Sequence, residues 1–473
     1  MKCYPRSMFS LYSTQRQLLE EITPNQPDGV LRIYCCGPTV YNFAHIGNFR
    51  TFLVQDVLRR LCIALGYKVK FVRNITDVDD KTIRNSQKEG VSLKQFTEHW
   101  TDIFHKDCER LNILAPDIEP RATGHIAEQI EIIRQLIETN HAYKAADGSV
   151  YFRLSTFPNY GKVSGITVDQ LQTQSENSAG QQNISDEYDR DNVHDFALWK
   201  AYKPEDGDIF WNSPWGKGRP GWHIECSAMA RKYLGDTIDI HGGGVDLCFP
   251  HHENEVAQSE SVTGKQFVKH WFHSAHLQVE GQKMSKSLGN LYTLDDLERR
   301  GYSPAVVRYA LISGHYRQVF NFTFSGLDAA QSALKKIQSK CSGMQFKKQY
   351  VPNVIAHWEY FLSAIEALKQ DLNVPKCLGE VFAVLKNERS VTEKFQSELE
   401  LILYILGLRE FILCDEKPDI ETIPEEIIAL AKQRQSAKLE KKYAEADQIR
   451  EQINSRGWDI KDRKDGYDLV QKK

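Results

Sequence analysis

Two hydrophobic periods divide this chain. Leu31 to Cys36 is a short apolar run closed by Gly37-Pro38, which predicts a buried strand. From Gly47 to Leu65, the residues Phe52, Val54, Val57, Leu58, Leu61 and Leu65 recur at helical spacing. Lys68 to Asn74 reads as a second strand, so strand, helix and strand follow at the spacing of a right-handed parallel crossover unit. Helices are expected near 92–112 and 123–140, a strand over Thr237–His241, a helix over His251–Ser261 and a strand over His270–Gln278. After Leu291 the pattern turns helical, with apolar spacing in Pro304–Ser313, Val354–Leu372, Leu378–Leu385 and Leu399–Leu408. In the last helix Leu439, Tyr443, Ala446, Ile449 and Ile453 keep the helical period, and Arg456-Gly457 marks its stop.

Residues 172–192 interrupt this plan with a polar stretch nearly free of large apolar side chains, read as a long surface loop inside an insertion. The expected fold class is α/β plus all-α: a split, doubly wound, Rossmann-like nucleotide-binding domain with an insertion, then a helical bundle and a small C-terminal module. The expected segments are 1–112 and 216–280 for the two halves of the nucleotide-binding domain and 113–215 for the insertion. A region 281–325 with a lysine-rich loop follows, then the bundle at 326–420 and the module at 421–473.

At 473 residues, with 41% apolar and 26% charged residues, the chain has the size and composition of a soluble globular protein of several domains. The formal net charge is −3, but residues 432–473 carry 12 Lys/Arg against 8 Asp/Glu, a net of +4 that leaves −7 for the rest. A basic tail on an acidic body permits a polyanionic partner at one end; the alternative is a solvated helix face. Neither a signal peptide nor an 18-residue apolar stretch occurs, so a cytoplasmic location without a membrane partner is expected. The ten cysteines lack paired spacing, which points to thiols, some of them possible metal ligands, rather than a disulfide framework.

Two elements suit a nucleotide's phosphates. The loop Lys283-Met284-Ser285-Lys286-Ser287 brings two lysines and two hydroxyls together, able to neutralise charge as pyrophosphate leaves. Upstream, His45-Ile46-Gly47-Asn48 opens a helix just after a strand, where unsatisfied N–H groups attract phosphate. Gly47 lets a nucleotide approach the backbone, and His45 can donate to a phosphate oxygen. Separately, each has an ordinary alternative, a turn histidine and an exposed basic turn. In this order the pair resembles the signatures of class I aminoacyl-tRNA synthetases, whose first signature usually ends in a second histidine. Here Asn48 stands in that place, an amide that can donate but cannot carry a proton.

Residues 223–276 hold seven of the 15 histidines, together with Cys226 and Cys248. On a helix His251 and Glu255 share a face, a geometry that can supply two ligands to one Zn²⁺. Cys226 could supply a third and Cys36 a fourth, while strand alternation keeps Cys35 and Cys36 from facing the same way. The other reading is a polar cleft of packed histidines with unrelated buried thiols, because scattered ligands lack the close pairs of a structural zinc module.

A wider set of motifs runs in one order. Cys36-Gly37-Pro38-Thr39-Val40-Tyr41 leads into His45-Ile46-Gly47-Asn48; Arg73-Asn74-Ile75-Thr76-Asp77-Val78-Asp79-Asp80-Lys81 follows. Gly221-Trp222-His223-Ile224-Glu225-Cys226-Ser227 and Asp239-Ile240-His241-Gly242-Gly243-Gly244-Val245-Asp246 come next, then the His251–Glu255 run, the lysine loop and Asp371-Leu372-Asn373-Val374-Pro375-Lys376. Together they resemble the cysteinyl-tRNA synthetases from about residue 20 to the C-terminus. That resemblance implies ATP-dependent activation of L-cysteine to an adenylate and its transfer to tRNA(Cys), with ATP taken up with Mg²⁺.

It further implies a zinc ion on Cys36, Cys226, His251 and Glu255 that binds the substrate thiolate and so excludes serine. The cysteine pocket would be lined by Gly37, Thr39, Thr76, Trp222, His241 and Asp246, the last pairing with the ammonium. ATP would lie against Gly47, Gly243, Gly244 and Lys286, with His45, Asn48, Lys283 and Lys286 acting in catalysis. The segment 281–325 becomes a stem-contact region and 421–473 an anticodon-binding module, where Trp458 and Tyr467 could stack on splayed bases. For Trp458 the alternative is packing of the tail onto its helix. A monomer is expected. A cysteine:aminosugar ligase of thiol-cofactor biosynthesis shares similar active-site motifs but lacks the full C-terminal tail.

Overall fold

A computed structural model describes residues 8–166, 195–285, 288–344, 346, 350–388, 391–413, 425–439, 442–463 and 466–471. The polar stretch 172–192 lies outside the described residues, as do Lys286 and Ser287 of the lysine loop. The chain forms two compact units, Met1–Leu413 and Cys414–Lys473.

The first unit begins with an antiparallel hairpin, β1 (Ser10–Ser13) and β2 (Leu18–Glu21). The crossover unit follows: β3 (Val30–Cys35), helix α1 (Ile46–Ala64) and β4 (Lys68–Arg73), with β3 and β4 parallel. Helices α2 (Asp80–Glu89), α3 (Leu93–Arg110) and α4 (Ile126–Glu138) come next. The sequence pattern does not reveal α2, whose buried residues are only Thr82, Ile83 and Ser86. Its start is set by a cap instead, with the Asp79 carboxylate accepting the Thr82 N–H at 2.7 Å.

An antiparallel sheet of β5 (Ala142–Lys144), β6 (Val150–Phe152), β7 (Phe196–Ala201), β8 (Trp211–Ser213) and β9 (Gly216–Pro220) precedes α5 (Trp222–Leu234). Then β10 (Ile238–Gly244), α6 (Glu253–Thr263) and β11 (Val268–Ser274) complete a parallel sheet in the order β11-β10-β3-β4.

This sheet is buried on both faces, as a parallel sheet requires. Along β3 the side chains alternate between two cores: Leu31, Ile33 and Cys35 pack with α1 and the helical half, whereas Tyr34 and the following Cys36 pack with α4, α5 and the insertion sheet. The strand expected over His270–Gln278 is two. After Ser274 the Ala275 N–H donates to the Tyr316 carbonyl at 2.8 Å, and the chain leaves the main sheet. It re-forms as β12 (Leu277–Val279), which pairs with β13 (Gln282–Lys283) and β14 (Phe320–Phe322).

The helical half contains α7 (Leu294–Arg299), α8 (Pro304–Ile312), α9 (Phe324–Cys341), α10 (Leu362–Lys369), α11 (Val374–Asn387), α12 (Glu393–Ile405) and α13 (Arg409–Leu413). The helix expected over Val354–Leu372 is confined to α10. Buried Glu398 of α12 accepts the backbone N–H groups of Glu359, Tyr360 and Phe361 at 2.7–3.0 Å, which holds that segment out of a helix. At the other end, Asp371 and Leu372 take positive φ values of 60° and 48°. A buried pair, Arg308 to Asp56 at 2.6 Å, ties α8 to α1.

The second unit contains α14 (Glu425–Leu439), α15 (Tyr443–Ser455) and the antiparallel pair β15 (Trp458–Arg463) and β16 (Gly466–Gln471). The stripe expected as one helix from Leu439 to Ile453 belongs to two helices, and Tyr443 is exposed. Ile449 and Ile453 instead pack against Ile427 and Ala431 of α14, so each helix buries its partner's apolar face. Gly457, at φ 82°, follows the end of α15. Among the described residues no helix is long and apolar enough to cross a membrane.

Candidate active site and metal centre

Four of the expected site residues converge from remote parts of the chain at the carboxyl end of β3. Cys36 follows that strand, Cys226 sits in α5, His251 just precedes α6 and Glu255 lies in its first turn. One potential ligand atom from each lies within 4.8 Å of all the others, and all four side chains are buried. Cys36 Sγ is 4.0 Å from Cys226 Sγ and 3.9 Å from Glu255 Oε1. His251 Nε2 is 3.0 Å from Glu255 Oε1. Cys35, on the opposite face, is in the other core.

A second set, Cys36, His241, His252 and Glu255, meets the same distance criterion. The first set is the better cation site, because it has two thiols and leaves His241 to bond the other carboxylate oxygen. His241 Nε2 lies 2.9 Å from Glu255 Oε2, the arrangement that orients a metal-binding carboxylate. His223 Nδ1 is likewise 2.9 Å from His251 Nδ1, which turns the other nitrogen of His251 towards Glu255.

The electrostatics of the cluster call for positive charge. Burial works against a charged His251, but Glu255 and Cys226 outweigh it and raise its pKa to about 10. Burial also opposes ionisation of Glu255, yet His241 and His251 outweigh that and lower its pKa to about 2. The hydrogen bond from Cys36 lowers the Cys226 thiol against burial, while burial first and then Cys226 drive Cys36 well above the usual thiol range. A buried proton on His251 thus offsets only part of the charge of a carboxylate and a thiolate. A dication with thiolate, imidazole and carboxylate ligands satisfies the same demand, so the donor set fits Zn²⁺.

The expected pocket residues surround this cluster unevenly. Gly37 follows Cys36, and its N–H donates to Asn74 Oδ1 at 2.9 Å. A Cβ at Gly37 would sit 1.6 Å from the Asn74 carbonyl oxygen, so only glycine fits. Thr39 and Thr76 pair as an isolated bridge, and buried Thr76 donates to Glu225 Oε2 at 3.2 Å. The Trp222 ring centroid is 4.4 Å from that of His251. Thr39 and Trp222 also line a cleft of about 710 Å³ bounded by Asp80, Arg84, Lys200 and Arg219. Asp246 is exposed in the short helical turn after β10, against Gly244 and electrostatically coupled to His45.

The phosphate elements are neighbours. His45 caps α1 and bridges Thr293, just beyond the lysine loop. A Cβ at Gly47 would lie 3.3 Å from Met284 Sδ, so the loop passes directly over the helix start. Asn48 is exposed, and its Oδ1 accepts the His45 N–H at 3.1 Å. Lys283 is exposed on β13, and Asn290 holds the loop by accepting the Ser285 N–H at 2.9 Å and donating to the Lys283 carbonyl at 3.1 Å. Gly243 and Gly244 end β10. Lys286 lies outside the described residues.

Sequence reasoning passed over Tyr34, Asn74, His223, His252 and His273. The last two form a buried chain, with Cys36 Sγ 3.5 Å from His252 Nε2 and His252 Nδ1 2.7 Å from His273 Nε2. The density of histidines in this segment is a signal for them. For Tyr34 the available signal is its place two residues before Cys36, on the same strand face.

Trp458, a candidate for stacking on bases, is buried with Ile427, Ala431, Ile449, Ile453 and Ile460. Its ring packs the tail onto its helices, as the alternative reading had it. The Tyr467 side chain lies outside the described residues.

The chain is similar to known proteins over nearly its whole length. Residues 22–332 match the family described as the tRNA synthetases class I (C) catalytic domain. The chain is 50% identical to the cysteine–tRNA ligase of Opitutus terrae, across 97% of this chain and 98% of the relative. It is 44% identical to that of Chlamydia muridarum, across 96% and 98%. Among solved structures, a Mycobacterium tuberculosis methionyl-tRNA synthetase in complex with methionyl-adenylate shares the fold, with a TM-score of 0.54 at 14% identity over 85% of this chain and 94% of that one. This chain therefore belongs to the cysteine–tRNA ligases, a family of class I aminoacyl-tRNA synthetases with a Rossmann-like fold.

Proposed function

We propose that this chain activates L-cysteine with ATP, taken up with Mg²⁺, and transfers the cysteinyl group to the 3′ end of tRNA(Cys). In the first step a cysteine carboxylate oxygen bonds to the α-phosphorus of ATP and pyrophosphate leaves. In the second, a ribose hydroxyl of the tRNA bonds to the activated carbonyl carbon and AMP leaves. The observation that carries this reading is the meeting of Cys36, Cys226, His251 and Glu255, from three distant segments, in one buried cluster. These residues would hold Zn²⁺, whose preference for thiolate over hydroxyl supplies selection against serine. A site built around one such group can reject its analogue by a large factor.

The remaining residues position and neutralise. Gly37, Thr39, Thr76, Trp222 and His241 enclose the amino acid, and Asp246 pairs with its ammonium. His45 and Asn48 donate to phosphate at the start of α1, where Gly47 allows close approach, and Gly243 and Gly244 admit the adenosine. Lys283 and Lys286 meet the charge on the departing pyrophosphate. The basic tail, residues 432–473, supplies phosphate contacts to the tRNA. The chain acts as a monomer in the cytoplasm.

The test is zinc content together with cysteine-dependent ATP–pyrophosphate exchange, in wild type and Cys226→Ala. About one zinc per chain is expected in the wild type, with metal and exchange both largely lost in the variant. Zinc retained by Cys226→Ala removes the ligand set. Charging of tRNA, rather than of an aminosugar, separates the two ligase activities.

A further inference from the structure

Tyr34 is fully buried, and its hydroxyl makes no hydrogen bond of ordinary geometry, although it lies towards Cys226. A buried hydroxyl left without a good partner is unfavourable, so its location calls for a reason. Tyr34 lies on β3 two residues before Cys36, on the same face of the sheet, and belongs to the same packed core as Cys36 and Cys226. Its ring meets the His241 ring edge-on at 5.1 Å, and its register partner on β10 is His241. Its hydroxyl faces the Cys226 sulfur, with Cys36 and Glu255 nearby. The hydroxyl is therefore aimed into the metal cluster.

The cluster needs such a group. Two thiolates and a carboxylate around a dication carry a net charge of −1, and a substrate thiolate would make it −2, in a site without solvent. Glu255 has a donor in His241, and Cys36 has the His252 ring 3.5 Å away. On the side of Cys226 the nearby amide offers none: Asn74 Oδ1, 3.8 Å from Cys226 Sγ, is an acceptor, and Asn74 Nδ2 is directed to Thr76 Oγ1 at 3.2 Å.

We propose that the Tyr34 hydroxyl donates a hydrogen bond to the Cys226 sulfur when that sulfur is ionised on the metal, and so sets the affinity of the site for zinc and for the substrate thiolate. Tyr34 is a positioning residue that acts through Cys226. The inference rests on the metal reading of the cluster. A hydrogen bond to a thiolate draws electron density from the sulfur and leaves the metal a better acceptor for a further thiolate.

The experiment compares wild type with Tyr34→Phe in three measurements: zinc affinity by chelator competition, the absorption of the cobalt(II)-substituted protein, and the melting of the metal-free protein. Expected are a loss of zinc affinity on the order of 10–100-fold, the effect typical of an outer-shell partner, and a shift of the sulfur-to-cobalt band to lower energy. The metal-free variant should melt no lower than wild type, because the oxygen removed makes no hydrogen bond of ordinary geometry there. A merely structural role predicts the opposite pattern: a lower melting temperature, unchanged zinc affinity and an unmoved cobalt band. That pattern overturns the assignment to Tyr34 while leaving the metal reading intact; wild type that takes up no zinc overturns the metal reading itself. An independent check on wild type needs no variant. Loaded with ¹¹³Cd, it should show scalar coupling between the metal and a tyrosine hydroxyl proton, and absence of the coupling counts against the proposal.

Discussion

His45 and Asn48 cap helix α1 reciprocally: His45 Nδ1 accepts the Asn48 backbone N–H at 3.3 Å, and Asn48 Oδ1 accepts the His45 backbone N–H at 3.1 Å. A ring that accepts at Nδ1 carries its proton on Nε2, so the donor is directed away from the cap and is available to a phosphate. Burial lowers the His45 pKa, which keeps the ring neutral at physiological pH. Two functions of one side chain can then be separated. His45→Asn should preserve the cap and the melting temperature while slowing ATP–pyrophosphate exchange about 10²–10³-fold, the loss typical of one well-placed donor. His45→Ala should lose exchange and also about 1 kcal/mol of stability. Full exchange activity in His45→Asn would rule out the donor role.

Zinc removal should act on one end of the site only. The thiol cluster and the His45 end are built from different segments, so chelated protein is expected to lose cysteine activation and its discrimination against serine. ATP binding should persist within a few-fold, and added zinc should restore activation. Calorimetric titration with ATP in both forms, beside exchange assays with cysteine and serine, is the measurement. Undiminished preference for cysteine in metal-free protein would contradict the role given to the cluster.

Acid should destabilise the protein through its buried histidines. Burial, with His241 and His270 adding to it, lowers the His273 pKa to about 3, and burial above all puts His252 well below its ordinary value. An unfolded chain takes up these protons near pH 6.5, whereas the folded one resists until far lower pH. Stability is therefore full above about 6.5 and declines as pH falls towards about 3. At about 1.4 kcal/mol per pKa unit, His273 alone contributes on the order of 5 kcal/mol. Other groups titrate too, so the informative quantity is a difference: the melting temperature of His273→Gln should depend less steeply on pH between 7 and 4 than that of wild type. Parallel curves would show that His273 is not the group responsible.

Trp458 should matter for folding of the C-terminal unit before it matters for nucleic acid. Its ring lies in a small core with Ile427, Ala431, Ile449, Ile453 and Ile460. Truncating a buried tryptophan costs about 3–5 kcal/mol, which a unit of this size cannot absorb easily. Trp458→Ala should abolish hydrogen-exchange protection in α14 and α15 while leaving cysteine activation by the first unit unchanged. Intact protection combined with weakened tRNA binding would instead make the ring a nucleic-acid contact.

What the linear pattern determined here was mostly local. Periodicity and Gly37-Pro38 are sufficient to place β3, α1 and β4, because a strand and an amphipathic helix are short-range objects with their own repeat. The order of the motifs, from Cys36 to the lysine loop, was legible as a family signature. Elements governed by distant partners were not: Glu398 holds residues 359–361 out of a helix, Tyr316 draws Ala275 off the main sheet, and α2 starts on a cap without an apolar stripe. The site divides in the same way. Sequence spacing could nominate Cys36, Cys226, His251 and Glu255, but their meeting depends on parallel pairing of β3 with β10 and on the packing of α5 and α6 beside that edge. Strand alternation puts Tyr34 on the face of Cys36, but which core that face meets is a matter of tertiary packing alone, since a shift of one residue would exchange every side chain between the two faces.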